Sequence, residues 1–147
     1  MGEIFDKKYI FLDQDLKSKE DVFDFLSNKV VEMGLADDEQ AVVDAFKDRE
    51  SQASTGMQNG IAIPHALTSS VNKPAVLYIK LKDSIDDWET FDDTKVNKVI
   101  AMLVPENGEQ EHLKILAKFA ESLVDDEVIN KLDNAKSVKE VYEILSV

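Results

Sequence analysis

The residues best suited to chemistry lie between Arg49 and Leu67, a stretch reading Arg-Glu-Ser-Gln-Ala-Ser-Thr-Gly-Met-Gln-Asn-Gly-Ile-Ala-Ile-Pro-His-Ala-Leu. It holds one of the chain's two histidines, two of its five glycines, and a single arginine able to face that histidine from the same segment. An imidazole is about half neutral near physiological pH, and its free nitrogen can attack phosphorus without a base to activate it. Such a transfer needs cationic or dipolar groups around the phosphoryl oxygens, because positioning and electrostatic stabilisation supply most of the catalysis. Arg49, the hydroxyls of Ser54 and Thr55, and the loop backbone around Gly56, Asn59 and Gly60 are the candidates. At the level of residues alone, a structural role for His65 and a surface ion pair between Arg49 and Glu50 stay open beside this reading.

The second histidine, His112, falls in the first turn of an expected helix, at the edge of its apolar stripe. There it either brings a positive helix end and a second imidazole N–H to a phosphoryl group, or is a solvated helix-start residue. Other chemistries find less support. The absence of cysteine excludes disulfides, thiol catalysis and cysteine-based metal sites, and it suits a reducing cytoplasm. The two histidines lack the local spacing of metal ligands. The pairs Asp86-Asp87, Asp92-Asp93 and Asp125-Asp126 read as solvated loop charges. Gly-Met-Gln-Asn-Gly matches neither a phosphate-binding Walker loop nor a dinucleotide fingerprint, and no serine has a G-x-S-x-G setting.

The elements around the stretch must hold these groups in place. Ser54 to Gly60 reads as a polar, flexible loop, since glycine and asparagine tolerate positive φ. Ile61–Ile63 reads as a short buried strand that Pro64 stops, which presents His65 at a strand end. Before it, Lys8–Leu12 is of strand type. Ser18 and Asp21 have the spacing of a helix cap and lead into Val22, Phe23, Phe25, Leu26, Val30 and Met33, with Gly34 at the expected end. Asp37 or Asp38 caps a second helix ending near Arg49. After it, Ala75–Leu81 and Val96–Val104 read as strands, the second a buried central one. The acidic segment 83–94 between them reads as a structured excursion, an irregular one or a hairpin, anchored by Trp88. Helices follow at 109–123, near 126–132, and from a Ser137–Glu140 capping box to the C-terminus. Strands interleaved with helices imply a single-domain α/β layered sandwich over residues 1–147, with a mixed central sheet flanked by helices.

Composition narrows the function classes. The chain has 147 residues, 44% hydrophobic and 32% charged, which is globular rather than disordered. A formal net charge of −13 repels phosphate backbones and anionic lipid, so nucleic acid is not an expected partner; the charge either steers a basic protein partner to the surface or only keeps the protein soluble. No apolar run approaches the ~20 residues of a membrane span, and the N-terminus lacks a signal-peptide pattern.

Arg49-Glu50, Ser54-Thr55-Gly56 and Asn59-Gly60-Ile61-Ala62-Ile63-Pro64-His65 together resemble the signature of the type 2 IIA components of the bacterial sugar phosphotransferase system. Asp87-Trp88, Val104-Pro105-Glu106 and Glu111-His112-Leu113-Lys114-Ile115-Leu116-Ala117 resemble its second half, closer to the fructose and nitrogen-regulatory branch than to the mannitol branch. The resemblance implies that His65 accepts a phosphoryl group through Nε2 from the phosphocarrier HPr. It further implies delivery to a cysteine of a IIB component, which works with a membrane IIC component, for fructose-type sugar uptake. Arg49 and His112 would flank the phosphoacceptor, with no cofactor and no metal. The alternative is a nitrogen-type regulatory protein whose phosphorylation state controls partner binding.

Overall fold

One mixed sheet divides the chain into two apolar layers, and the computed structural model describes residues 4–106, 114, 117–118, 121–123 and 125–146. Five strands build it: β1 (Ile10–Gln14), β2 (Ile61–Ala62), β3 (His65–Thr68), β4 (Ala75–Ile85) and β5 (Val96–Pro105). The order is β1-β4-β5-β2, with β3 also paired to β5. β4 and β5 are antiparallel and central, whereas β1 runs parallel to β4, and β2 and β3 run parallel to β5. This is the mixed α/β sandwich expected from the alternation of strand and helix patterns.

Strand side chains alternate between faces, so the sequence of β5 feeds two cores at once. Val99, Ala101 and Leu103 join Leu77, Ile79 and Leu81 of β4 under helices α1 (Lys19–Glu32) and α2 (Glu39–Gln52). Ile100 and Met102 join Val76 and Tyr78 under helices α3 (Asp126–Asn134) and α4 (Val138–Leu145). That explains why Val99–Val104 is apolar without a break: both faces are covered.

The helix ends follow their caps. Ser18 accepts the N–H of Asp21, and Asp21 returns a carboxylate to the N–H of Lys17, one residue before the usual partner. α1 closes as Gly34 takes φ 77°, its N–H bonding Val31 while the N–H of Leu35 bonds Val30. Asp38 caps α2, and Ser137 caps α4, its Oγ accepting the N–H of Glu140 and donating to the Glu140 carboxylate.

Four local readings change. The first strand starts at Ile10 after a 3-10 turn at Lys7–Tyr9, where Asp6 accepts the N–H of Lys8. α2 continues to Gln52, since nothing in Glu50–Gln52 breaks a helix and Ala53 is the first extended residue. β4 runs on to Ile85, so residues 86–95 form the connection of the β4–β5 hairpin rather than a hairpin of their own. Pro64 interrupts the edge pairing without ending it: the N–H of Met102 bonds its carbonyl, and pairing resumes at His65. The expected helix at 109–123, His112 included, lies largely outside the described residues.

Candidate functional site

The stretch from Ser54 to Ile63 folds as a tight hairpin rather than a slack loop. Asn59 and Gly60 have φ 57° and 75°, and the N–H of Ile61 closes the turn on the Gln58 carbonyl. Two successive residues at positive φ make the turn whose twist suits a two-residue β connection, and Asn-Gly is its preferred sequence. The arms pair through Met57 N–H to Ile61 O and Ile63 N–H to Thr55 O, with Gly56 bridging Ala62.

The 86–95 connection lies along the outer arm and fixes it. Ser54 Oγ donates to the Glu89 carbonyl at 2.7 Å and accepts the N–H of Gly56 at 3.1 Å. Phe91 N–H bonds the Met57 carbonyl, Asn59 N–H bonds Asp92, and Gly60 N–H bonds Thr94 Oγ1. Gly56 is required by proximity: a Cβ there would stand 1.9 Å from the Glu89 carbonyl oxygen. Thr55 donates its N–H to Glu50 at 2.9 Å and its hydroxyl to the same carboxylate at 2.5 Å. The sequence-derived donors at Ser54, Thr55, Gly56, Asn59 and Gly60 are thus engaged within the protein, and their evident work is to make the hairpin rigid.

His65 opens β3 opposite Met102 of β5, at the edge of the sheet. Paired residues share a face, so its ring lies on the α3–α4 side while Ala66 turns inward under α1 and α2. Nδ1 is buried and has no hydrogen-bond partner at standard geometry among the described residues. The His65 pKa is depressed below its ordinary value of 6.5, first by burial, which penalises the charged ring, and then by the positive charge of Arg49. The Ile63 backbone and the negative charge of Glu50 act in the opposite direction. Burial and Arg49 thus both favour the uncharged ring, and Nδ1 is the nitrogen withdrawn from solvent.

Arg49, the only arginine in the chain, sits in the last turn of α2, which packs over β3. Nη1 donates to the Ala53 carbonyl at 2.9 Å, and the side chain is half-buried. Arg49 forms no ion pair among the described residues; Glu50, its sequence neighbour, turns instead to Thr55 and to Lys19 at 3.7 Å. Arg49 is near enough for its charge to bear on the His65 ring, while His112 lies outside the described residues. Sequence reasoning missed Glu50 and Trp88 as parts of this frame: the buried Trp88 donates from Nε1 to Thr55 Oγ1 at 3.3 Å.

No group of three or more His, Asp or Glu suited to a metal ion exists among the described residues, and none of the described helices is long and apolar enough to cross a membrane. A half-buried imidazole within the field of a guanidinium suits an anionic group at the ring.

Comparison with known proteins points the same way. A family model described as "Phosphoenolpyruvate-dependent sugar phosphotransferase system, EIIA 2" matches residues 3–147. A protein of Haloferax volcanii called "PTS system fructose-specific EIIA component" is 36% identical over 137 residues, 93% of this chain and 88% of that one. The crystal structure of the nitrogen regulatory protein IIA-Ntr from Neisseria meningitidis superposes with a TM-score of 0.88 at 29% identity, covering 98% of this chain and 97% of that chain. The complex of enzyme IIAMTL with phosphorylated enzyme IIBMTL from Escherichia coli gives 0.79 at 27% identity, covering 97% of this chain and 99% of the matched chain.

Proposed function

Because the chain belongs to the EIIA type 2 family of the phosphoenolpyruvate-dependent sugar phosphotransferase system, we propose that His65 is its phosphoryl carrier, loaded by phospho-HPr and unloaded onto a cysteine of a IIB component that serves fructose-type uptake. The observation that supports this reading is the setting of the ring: half-buried, with Nδ1 out of solvent, and with its pKa pushed below the ordinary 6.5 by burial and by the chain's only guanidinium.

In the loading step, the Nε2 lone pair attacks phosphorus. The new N–P bond forms as the donor histidine's P–N bond breaks, and the donor imidazole departs with that electron pair. Arg49 stabilises charge on the transferring oxygens, the main lever open to a protein in this chemistry. In unloading, a thiolate of IIB attacks the same phosphorus and Nε2 leaves. Ser54, Thr55, Gly56, Asn59 and Gly60 support the cradle by holding its backbone, and His112 supplies a second imidazole N–H as the family resemblance implies. No cofactor takes part. The step takes place in the cytoplasm, within a unit spanning residues 1–147.

The test is transfer of labelled phosphate from phospho-HPr. His65→Ala takes none, whereas His112→Ala keeps some acceptance. Equal and total loss in both variants would reverse the assigned roles. A second reading is favoured by the similarity to the Neisseria nitrogen regulatory protein: the same phosphohistidine serves as a signal that controls partner binding. Phosphate delivery to a fructose-type IIB component separates the two, since a regulator leaves that IIB unlabelled.

A further inference from the structure

We infer that Glu50 is a positioning residue of the phosphoryl site, acting through Arg49 rather than on phosphate itself; the inference rests on the reading of His65 as the carrier. Arg49 and Glu50 are consecutive in the last turn of α2, so they point about 100° apart around the helix. One faces the site, and the other faces the frame behind it.

The Glu50 side chain is 7% exposed, an unusual depth for a carboxylate, and its hydrogen bonds go to Thr55. Its two oxygens take both donors of Thr55, at 2.9 and 2.5 Å. Lys19 Nζ approaches at 3.7 Å, itself placed by its own N–H on Asp87 and by the Trp88 ring 5.8 Å away. Trp88 completes the cluster on Thr55 Oγ1. Thr55 then passes the constraint forward through its carbonyl to the N–H of Ile63, two residues before His65.

The same clamp reaches Arg49 from behind. The guanidinium is fixed by one bond to the Ala53 carbonyl, and the hold on Thr55, together with the Ser54 bond to the Glu89 carbonyl, keeps that carbonyl in place. Glu50 therefore sets the point from which Arg49 is aimed. A carboxylate in contact with phosphate would repel it; a carboxylate spent on Thr55 leaves the guanidinium its remaining donors.

The experiment is a double-mutant cycle on the rate of phosphoryl acceptance from phospho-HPr. Glu50→Gln alone lowers kcat about tenfold to a hundredfold with KM unchanged, the size of effect expected when a reacting group is slightly misplaced. In an Arg49→Ala background the same substitution costs less than twofold, because the group it positions is gone. Equal losses in both backgrounds, or a change confined to KM, would overturn the inference. If Glu50→Gln fails to fold by circular dichroism, Thr55→Val and Thr55→Ser take its place: serine recovers most of the rate that valine loses, and equal behaviour of the two overturns the inference. A wild-type protein that takes no phosphate from phospho-HPr would instead count against the carrier reading.

Discussion

Arg49 folds back on its own chain, donating from Nη1 to the carbonyl of Ala53 four residues on, at 2.9 Å. A planar guanidinium can make that bond and still present further donors to a phosphoryl group. An ammonium has one centre to divide between the two tasks. Arg49→Lys is therefore expected to slow acceptance of phosphate from phospho-HPr by about a hundredfold, in the range seen when one oxyanion donor is removed. Single-turnover phosphorylation kinetics check this, and a rate near wild type would mean that only the charge matters.

The depressed His65 pKa sets a sign for the pH dependence. Attack requires the neutral ring, so acceptance should be flat above pH 6.5 and fall only once pH drops below that ordinary value. Arg49→Ala removes a charge that pushes the pKa down, and the midpoint should climb. Stability follows by linkage. Below pH 6.5 the unfolded ring binds a proton that the folded ring still refuses, so stability declines as pH falls towards the folded pKa. Melting curves of wild type and His65→Gln between pH 5 and 8 test this: the variant should lack that part of the slope.

Gly56 is the position where the hairpin arm and the 86–95 connection come closest. Gly56→Ala would drive a Cβ into the Glu89 carbonyl at 1.9 Å, so one of the two backbones must move. The expected cost is about 1–3 kcal/mol of stability, as for other overpacked sites. Acceptance should also slow, because Ser54 and Thr55 lie in the same arm. Denaturant unfolding and the transfer assay measure the two effects side by side.

On the α3–α4 face, Lys98 is buried in β5 and pairs with Asp133 of α3, with Asn97 as its second partner. The buried Tyr78, with its hydroxyl unpartnered among the described residues, lies on the same strand face as its neighbour Lys80. Asp133→Ala leaves a buried ammonium without its counter-charge and should cost about 2 kcal/mol. Lys98→Met removes the charge along with its partner's purpose and should cost less. Chemical denaturation of both variants ranks them; the reverse order would show that packing at residue 98 outweighs its charge.

Much of this arrangement could be read from the chain before folding. Ser18, Asp38 and Ser137 announce their helices because capping is local, whereas Asn59-Gly60 reads only as a flexible loop, because the hairpin is fixed by bonds to residues 89–94. Arg49 and His65 stand out as types that phosphoryl chemistry needs. The β3 strand was not legible: it is four residues long, lies at an edge, and follows a proline that normally ends pairing. Its partner, β5, is 37 residues away from His65 at the Met102 register. The role of Glu50 was hidden for a similar reason. Its neighbour Arg49 suggested a surface pair, whereas its real partners include Thr55, which Trp88 meets from 33 residues away. Lys98 shows the same limit, since its counter-charge is 35 residues on. Long-range polar pairing leaves no periodic trace in sequence.

The most direct measurement is the site of phosphorylation after incubation with phospho-HPr, read by mass spectrometry at neutral to alkaline pH and by ³¹P–¹⁵N coupling at the ring nitrogens. One phosphoryl group on Nε2 of His65, absent in His65→Ala, is the expected result. Phosphate on another residue, phosphate on Nδ1, or equal labelling of His65→Ala would contradict the assignment of His65 as the carrier.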